Sequence, residues 1–238
     1  MTILPDYAQA DKLFQVFKID VPRETFCQFE TYAEFLVEYN QYVNLTAVTD
    51  GDSILKKHFL DSILLHEYAK NLFPQSAKIL DIGSGAGFPG VPLSLIRPDL
   101  QVVLLDSLQK RIVFLEKLRE KLHCSYTAVH GRAEELAKDS MYRESFDIVT
   151  ARAVASLPVL AELSLPYVKT GGYWLAMKSH EAIEPALQAI QMLGGEWVDT
   201  VSYQLPGGDV RNLHVIKKIS PCPTKYPRKF AQIKQKSL

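Results

Sequence analysis

Cysteine is scarce: the 238 residues hold three, Cys27, Cys124 and Cys222, odd in count and far apart, so no disulfide framework is suggested. They read as reduced thiols, and no paired-cysteine zinc site is indicated. No run approaches the roughly 18 to 20 uncharged apolar residues that span a bilayer, and Met1 to Lys12 lacks the basic-then-apolar order of a signal peptide. A cytoplasmic protein with no membrane role is expected. Internal repeats and low-complexity segments are also missing, and a hydrophobic content of 47% excludes a wholly disordered chain.

Net charge is zero as well, but only by cancellation. Eight of the 27 basic residues and none of the 27 acidic ones follow Asp209, which leaves +8 on the end of the chain and −8 on the rest. An acidic body with a basic end suggests a polyanionic partner touched by the tail.

Before residue 76 the apolar pattern is helical. Phe26, Phe29, Ala33, Leu36, Tyr39 and Val43 recur at three- and four-residue steps after Pro22, and a second helix is expected from about His58 to Leu72. From Ala77 short apolar runs alternate with amphipathic segments. Strands are expected at 78–82, 102–106, 126–129, 146–150, 173–177, 197–203 and 213–219, with helices near 89–96, 108–122, 158–168 and 182–193. Such alternation predicts an α/β fold with a parallel sheet covered on both faces. Only Leu205 to Asn212 separate the last two strands, too few for a helical crossover, so an antiparallel hairpin should end the sheet. Three parts result: an N-terminal helical extension (1–75), a core (76–220) and a basic C-terminal tail (221–238).

The strongest local signal is Asp81-Ile82-Gly83-Ser84-Gly85-Ala86-Gly87-Phe88-Pro89-Gly90, an apolar strand running into glycines. Glycine permits positive φ and lets a ligand approach the backbone. A dinucleotide fingerprint would need glycine at Phe88, and a triphosphate loop would end in Gly-Lys-Ser/Thr; neither is present. Asp106 ends the next strand about 20 residues on, the distance at which an acid accepts the ribose hydroxyls of an adenosine. An acid there without a phosphate loop suits a nucleoside lacking phosphates, such as S-adenosylmethionine. Asp106 or Ser107 could equally cap the following helix.

Arg132 and Arg152 fall just after strands, where an arginine could hold a carboxylate, grip an RNA phosphate or donate to guanine O6; an ion pair with Glu134 or Asp147 is the plainer reading. Lys178, after the fifth strand, is a further phosphate or base contact. His58 and Asp61 share a helix face, a spacing more typical of a buried hydrogen bond than of a site, and no third ligand makes them a metal centre. Cys222, between two prolines in the tail, lies away from the strand ends and is a poor candidate for thiolate addition to a pyrimidine.

An ordered set of motifs resembles one family over nearly the whole chain. Asn44-Leu45-Thr46-Ala47, His58-Phe59-Leu60-Asp61-Ser62 and the glycine turn are followed by Leu105-Asp106-Ser107-Leu108, His130-Gly131-Arg132-Ala133-Glu134, Ala151-Arg152-Ala153, Met177-Lys178 and Lys225-Tyr226-Pro227-Arg228-Lys229. The pattern is similar to the RsmG (glucose-inhibited division protein B) methyltransferases, which methylate N7 of a guanine in the 530-loop of 16S ribosomal RNA. The resemblance implies a class I (Rossmann-like) methyltransferase fold, S-adenosylmethionine as donor with S-adenosylhomocysteine as product, no metal, and 16S rRNA or the small ribosomal subunit as partner of a monomer. It implies that Gly83, Gly85, Phe88, Asp106, Ser107, Ala133, Glu134 and Arg152 hold the donor, that Arg152, Arg132 and Lys178 serve catalysis, and that Lys225, Tyr226, Arg228 and Lys229 contact RNA. Gln41 stands where the family usually has lysine, and Ala231, Ile233 and Ser237 stand where its tail has glycine and two prolines.

Guanine N7 has an in-plane lone pair and no proton to lose, so alignment suffices and no general base is needed. The sequence offers no convincing acid/base pair, nor the Asp/Asn-Pro-Pro-aromatic element of amine methylation after the fourth strand. Two other readings stand beside this one: a class I methyltransferase with a small-molecule or protein substrate, and a non-catalytic nucleotide-sensing or RNA-binding module. Removing Lys225 to Leu238 is expected to weaken RNA affinity more than donor affinity.

Overall fold

A computed structural model describes residues 3–152 and 155–238. Ala153, the last residue of the Ala151-Arg152-Ala153 motif, lies outside the described residues. Seven strands form one sheet: β1 (Lys78–Ile82), β2 (Gln101–Asp106), β3 (Thr127–His130), β4 (Phe146–Arg152), β5 (Val168–Lys178), β6 (Gly195–Gln204) and β7 (Val210–Lys218). Their order is β3-β2-β1-β4-β5-β7-β6. Pairs among β1 to β5 are parallel, and β7 runs antiparallel to both β5 and β6. The sequence expectation of a mostly parallel sheet closed by an antiparallel hairpin is met.

Helices cover both faces. They are α1 (Tyr7–Val16), α2 (Arg23–Asn40), α3 (Gly51–Ile54), α4 (Asp61–Ala69), α5 (Gly90–Ile96), α6 (Gln109–Leu122), α7 (Ala133–Leu136), α8 (Leu157–Ser164), α9 (Leu187–Met192) and α10 (Phe230–Gln235). Side chains alternate along a strand, so adjacent residues feed opposite cores. Ile79, Leu104, Ile148 and Leu175 join one core with the apolar stripes of α2, α5 and α6. Leu80, Leu105, Val149 and Trp174 join the other with α8 and α9. The N-terminal helices are thereby part of the first core: Phe14, Phe26, Phe29 and Leu36 are each at most 1% exposed. Burying each such side chain contributes about 1.5 to 3 kcal/mol.

Several boundaries differ from expectation. Helix α1 was not anticipated, and the helix expected from His58 begins at Gly51 and passes through a π-helical turn at Leu55–Leu60. The segment 158–168 divides, because Val168 already pairs with Phe146 as the first residue of β5. Helices α7 and α10 were not expected either; four and six residues are too few to show a period.

The order of the sheet reverses between β1 and β4, and ligands of open α/β sheets settle outside the carboxyl ends of the strands at such a point. Two cavities flank it.

Candidate active site

The first cavity, about 150 Å³, lies over the ends of β1, β2 and β3. Gly83, Gly85 and Gly87 have φ of 69°, 59° and 98°. At Gly87 a Cβ would stand 2.7 Å from Tyr32 Oη and from Val91 Cγ2, so this glycine serves packing. At Gly85 a Cβ would meet only the Gly83 carbonyl, at 3.8 Å, so this side of the turn is open to a ligand. The Gly85 N–H donates to Asp106 Oδ2 at 2.9 Å, which ties the turn to the end of β2. Asp106 Oδ1 accepts from the Leu108 N–H at 2.9 Å, and Arg111 Nη1 donates to Oδ2 at 3.1 Å. The carboxylate therefore orders the turn that leads into α6 without capping the helix, whose N-cap position is Leu108 and has no side-chain cap, and it lines the cavity as well.

Ser107, Arg132, Ala133 and Glu134 line the same cavity, and Ile82, Leu105 and Leu163 supply apolar wall. Arg132 Nη1 is 3.7 Å from Glu134 Oε1, but its side chain keeps 58% exposure. Two buried acids face that one exposed cation. A pyrophosphate would be repelled here, whereas a nucleoside meets apolar surface for its base and a carboxylate for its hydroxyls. The residues fit the adenosyl part of S-adenosylmethionine.

Phe88 follows the last glycine of the turn. Its ring is buried and stacked on Tyr32 (centroids 4.9 Å apart, planes 3° apart) and on His58 (4.5 Å, 21°), with the Arg152 guanidinium 5.3 Å from its centroid. The turn sends this side chain toward α2 and the π-helical turn. Asp81, below the turn, is fully buried; its Oδ2 accepts from the Gly90 N–H at 3.0 Å while Oδ1 has no partner. Burial pushes its carboxyl up to about 7.

The second cavity, about 340 Å³, opens over the ends of β4 and β5. Arg152 lines this cavity. Asp61 organises the floor. Its Oδ1 accepts from Tyr203 Oη at 2.9 Å, and its Oδ2 lies 3.4 Å from Arg152 Nη1 and 3.5 Å from Arg211 Nε. Arg152 also donates to the Lys57 carbonyl at 2.9 Å and to His58 Nδ1 at 3.2 Å. His58 Nδ1 also lies 3.1 Å from the Lys57 carbonyl, and Nε2 is 2.9 Å from Thr46 Oγ1, so both ring nitrogens are engaged. Burial, helped by Arg152, pushes the imidazole down to about 3 and keeps it neutral. Lys178 reaches the Ala155 carbonyl and Glu181 Oε2. Lys57, Arg152, Lys178 and Arg211 line the cavity with Asp61 as the one acid among the described lining residues; Arg152 and Arg211 face Asp61, while Lys57 pairs with Asp209 and Lys178 with Glu181.

The sequence pairing of His58 with Asp61 read as structural; in the fold both line the cavity and touch Arg152. Arg211 and Tyr203 were missed, since nothing in their local sequence places them beside Asp61. Asn40 accepts from the Leu45 and Thr46 N–H groups at 2.8 and 3.0 Å, and so shapes the loop that presents Thr46 to His58.

The tail corrects two further expectations. Tyr226 is 5% exposed, which leaves no face for a nucleic-acid base. Arg228 is engaged in a two-pronged pair with the fully buried Glu162, Nε to Oε1 at 2.9 Å and Nη2 to Oε2 at 2.5 Å. Lys225 and Lys229 remain exposed. Cys222 is buried, its thiol raised by desolvation, and lines neither cavity.

Residues 26–206 match the family described as rRNA small subunit methyltransferase G. The chain is 47% identical over 206 residues to ribosomal RNA small subunit methyltransferase G of Lactococcus lactis subsp. cremoris, covering 85% of this chain and 86% of that one. Identity to the protein of the same name from Acetivibrio thermocellus is 46% over 217 residues, 90% of this chain and 88% of the relative. In fold it is similar to M. jannaschii TYW2 in complex with AdoMet, with TM-score 0.52 and 13% identity over 67% of this chain and 77% of that one. The cavities at the reversal of the sheet and the likeness along most of the sequence lead to the same place: this chain belongs to the rRNA small subunit methyltransferase G family and has the class I methyltransferase fold.

Proposed function

We propose that this chain transfers a methyl group from S-adenosylmethionine to N7 of a guanine in the 530-loop of 16S ribosomal RNA, as a monomer in the cytoplasm and without a metal. The observation that carries the reading is the pair of cavities, one nucleoside-like and one basic, on either side of the strand reversal. Among the described residues no helix is long and apolar enough to cross a membrane.

In the first cavity Asp106 accepts the ribose hydroxyls, Gly85 opens the backbone, and Ala133 and Glu134 border the base. Asp106 already accepts from three donors, and the half-buried Arg111 side chain, unlike the two backbone N–H groups, is the one free to yield. The donor supplies an activated methyl carbon; the N7 lone pair forms the new N–C bond as the S–C bond leaves with its electrons on sulfur. In the second cavity Arg152 and Arg211 present donors for guanine O6 or for phosphate, and neither has to occupy N7. Asp61 holds both in place and puts a negative charge near a purine that becomes cationic on methylation. His58 is neutral and already bonded at both nitrogens, so it orients Arg152 and exchanges no proton. Lys178, Lys225 and Lys229 add backbone attraction that falls with salt.

Incubation of the protein with labelled donor and either ribosomal RNA or RNA-depleted extract tests the proposal. Label should enter small-subunit RNA only. Label on protein or on a small molecule would replace the reading with another methyl transfer, and absence of transfer would replace it with a binding module.

A further inference from the structure

Phe230 breaks a pattern. In the tail Tyr226 and Ile233 are 5% and 0% exposed, yet Phe230, between them, remains 36% exposed. Phe230 and Ile233 are three residues apart on α10 and so share a face of that helix. Ile233 points into the protein; Phe230 points the same way but overhangs space. That space is the first cavity, where Phe230 joins Leu163 and Ala133 on the wall.

The ring is held there by its surroundings. Arg228 is locked on buried Glu162, and its N–H also donates to Glu162 Oε1 at 2.8 Å. Arg143 donates to the carbonyls of Tyr226 and Cys222, each at 2.9 Å. Glu162 and Leu163 both belong to α8, so the helix that anchors the tail also walls the cavity. We infer that Phe230 is a donor-binding residue: the C-terminal helix supplies an aromatic wall to the nucleoside cavity, and the face of this ring covers the adenine. An exposed aromatic beside a purine pocket is suited to stacking, because every base has a π-face.

The inference rests on the reading of the first cavity as the donor site, and the experiment separates the two. The full-length protein, Phe230→Ala and Phe230→Leu are titrated with S-adenosylhomocysteine by calorimetry, and the melting temperature of each is measured without ligand. Phe230→Tyr serves as the aromatic control. Removal of the ring should raise Kd about tenfold in both non-aromatic variants, the size of one lost base–aromatic stack. Phe230→Tyr should bind like the parent, and affinity for ribosomal RNA should hold in all variants. Phe230→Leu keeps apolar bulk on α10 and stays informative even if Phe230→Ala melts early. Tight binding by the parent with unchanged Kd in Phe230→Leu would overturn this inference alone. No binding by the parent would overturn the donor site itself.

Discussion

Asp61 is the residue on which the second cavity turns. It is 2% exposed and faces Arg152, Arg211 and Tyr203 together. Asp61→Asn keeps the shape but removes the charge that holds two guanidinium groups in register. A misplacement of about 1 Å costs roughly 10²-fold in rate, so kcat on ribosomal RNA should fall by about that factor, with Kd for S-adenosylhomocysteine unchanged. Steady-state kinetics beside calorimetry checks the split; an equal loss in both would place Asp61 in the donor site. His58 and Asp81 lead to predictions of sign. His58 titrates near 3 in the fold against 6.5 when unfolded, so its contribution is present at neutral pH and is lost as pH falls from 6.5 toward 3. Asp81 is opposite: its proton is held to about 7 in the fold against 3.8 when unfolded, so its contribution is lost as pH rises from about 4 to 7. The melting temperature of Asp81→Asn should accordingly gain on that of the parent between pH 5 and pH 8. A gap that stays constant would show that Asp81 is ionised throughout.

At the scale of elements, the tail is a structural strap more than a loose cationic arm. Removing Arg228 leaves Glu162 charged and buried, and breaking such a pair by losing one partner costs about 3 to 5 kcal/mol. Arg228→Ala should lower the unfolding free energy by that order in denaturant titration; a change below about 0.5 kcal/mol, the range of an exposed pair, would mean that Glu162 stays hydrated. Loss of Lys225 to Leu238, expected to weaken RNA affinity more than donor affinity, also removes Phe230 from the wall of the first cavity and uncovers Glu162. Ala231 and Ile233 explain how this tail forms a helix where the resembling pattern has glycine and proline: both are compatible with helical backbone, and Ile233 is fully buried. The regular parts of the fold were legible in the sequence. The strand 78–82 has the bounds expected from its apolar run, and α6 begins within one residue of its expected start, since each carries enough residues to show a period. The π-helical turn at Leu55–Leu60 was not legible, because one extra residue per turn leaves no mark in composition.

For the molecule as a whole, the glycine turn and Asp106 could be read as a nucleoside site because they are close in sequence and the fold brings them to 2.9 Å. The second cavity was only half visible. Asp61, Arg152 and Arg211 come from three distant stretches that meet only when β4 and β7 pack beside the π-helical turn. The surroundings of Phe88 were hidden for a related reason: Tyr32 and His58, on which its ring stacks, come from distant stretches of the chain. Under the proposed function the parts unite as a donor cavity and a basic cavity placed so that alignment alone carries a methyl group across the strand reversal. The most direct test is mass mapping of small-subunit ribosomal RNA from cells with and without this protein. The account predicts one guanine that gains a methyl group only in its presence, with the cleavage sensitivity of N7 modification. An unchanged map, or a methyl group on an exocyclic amine or a pyrimidine carbon, would contradict it.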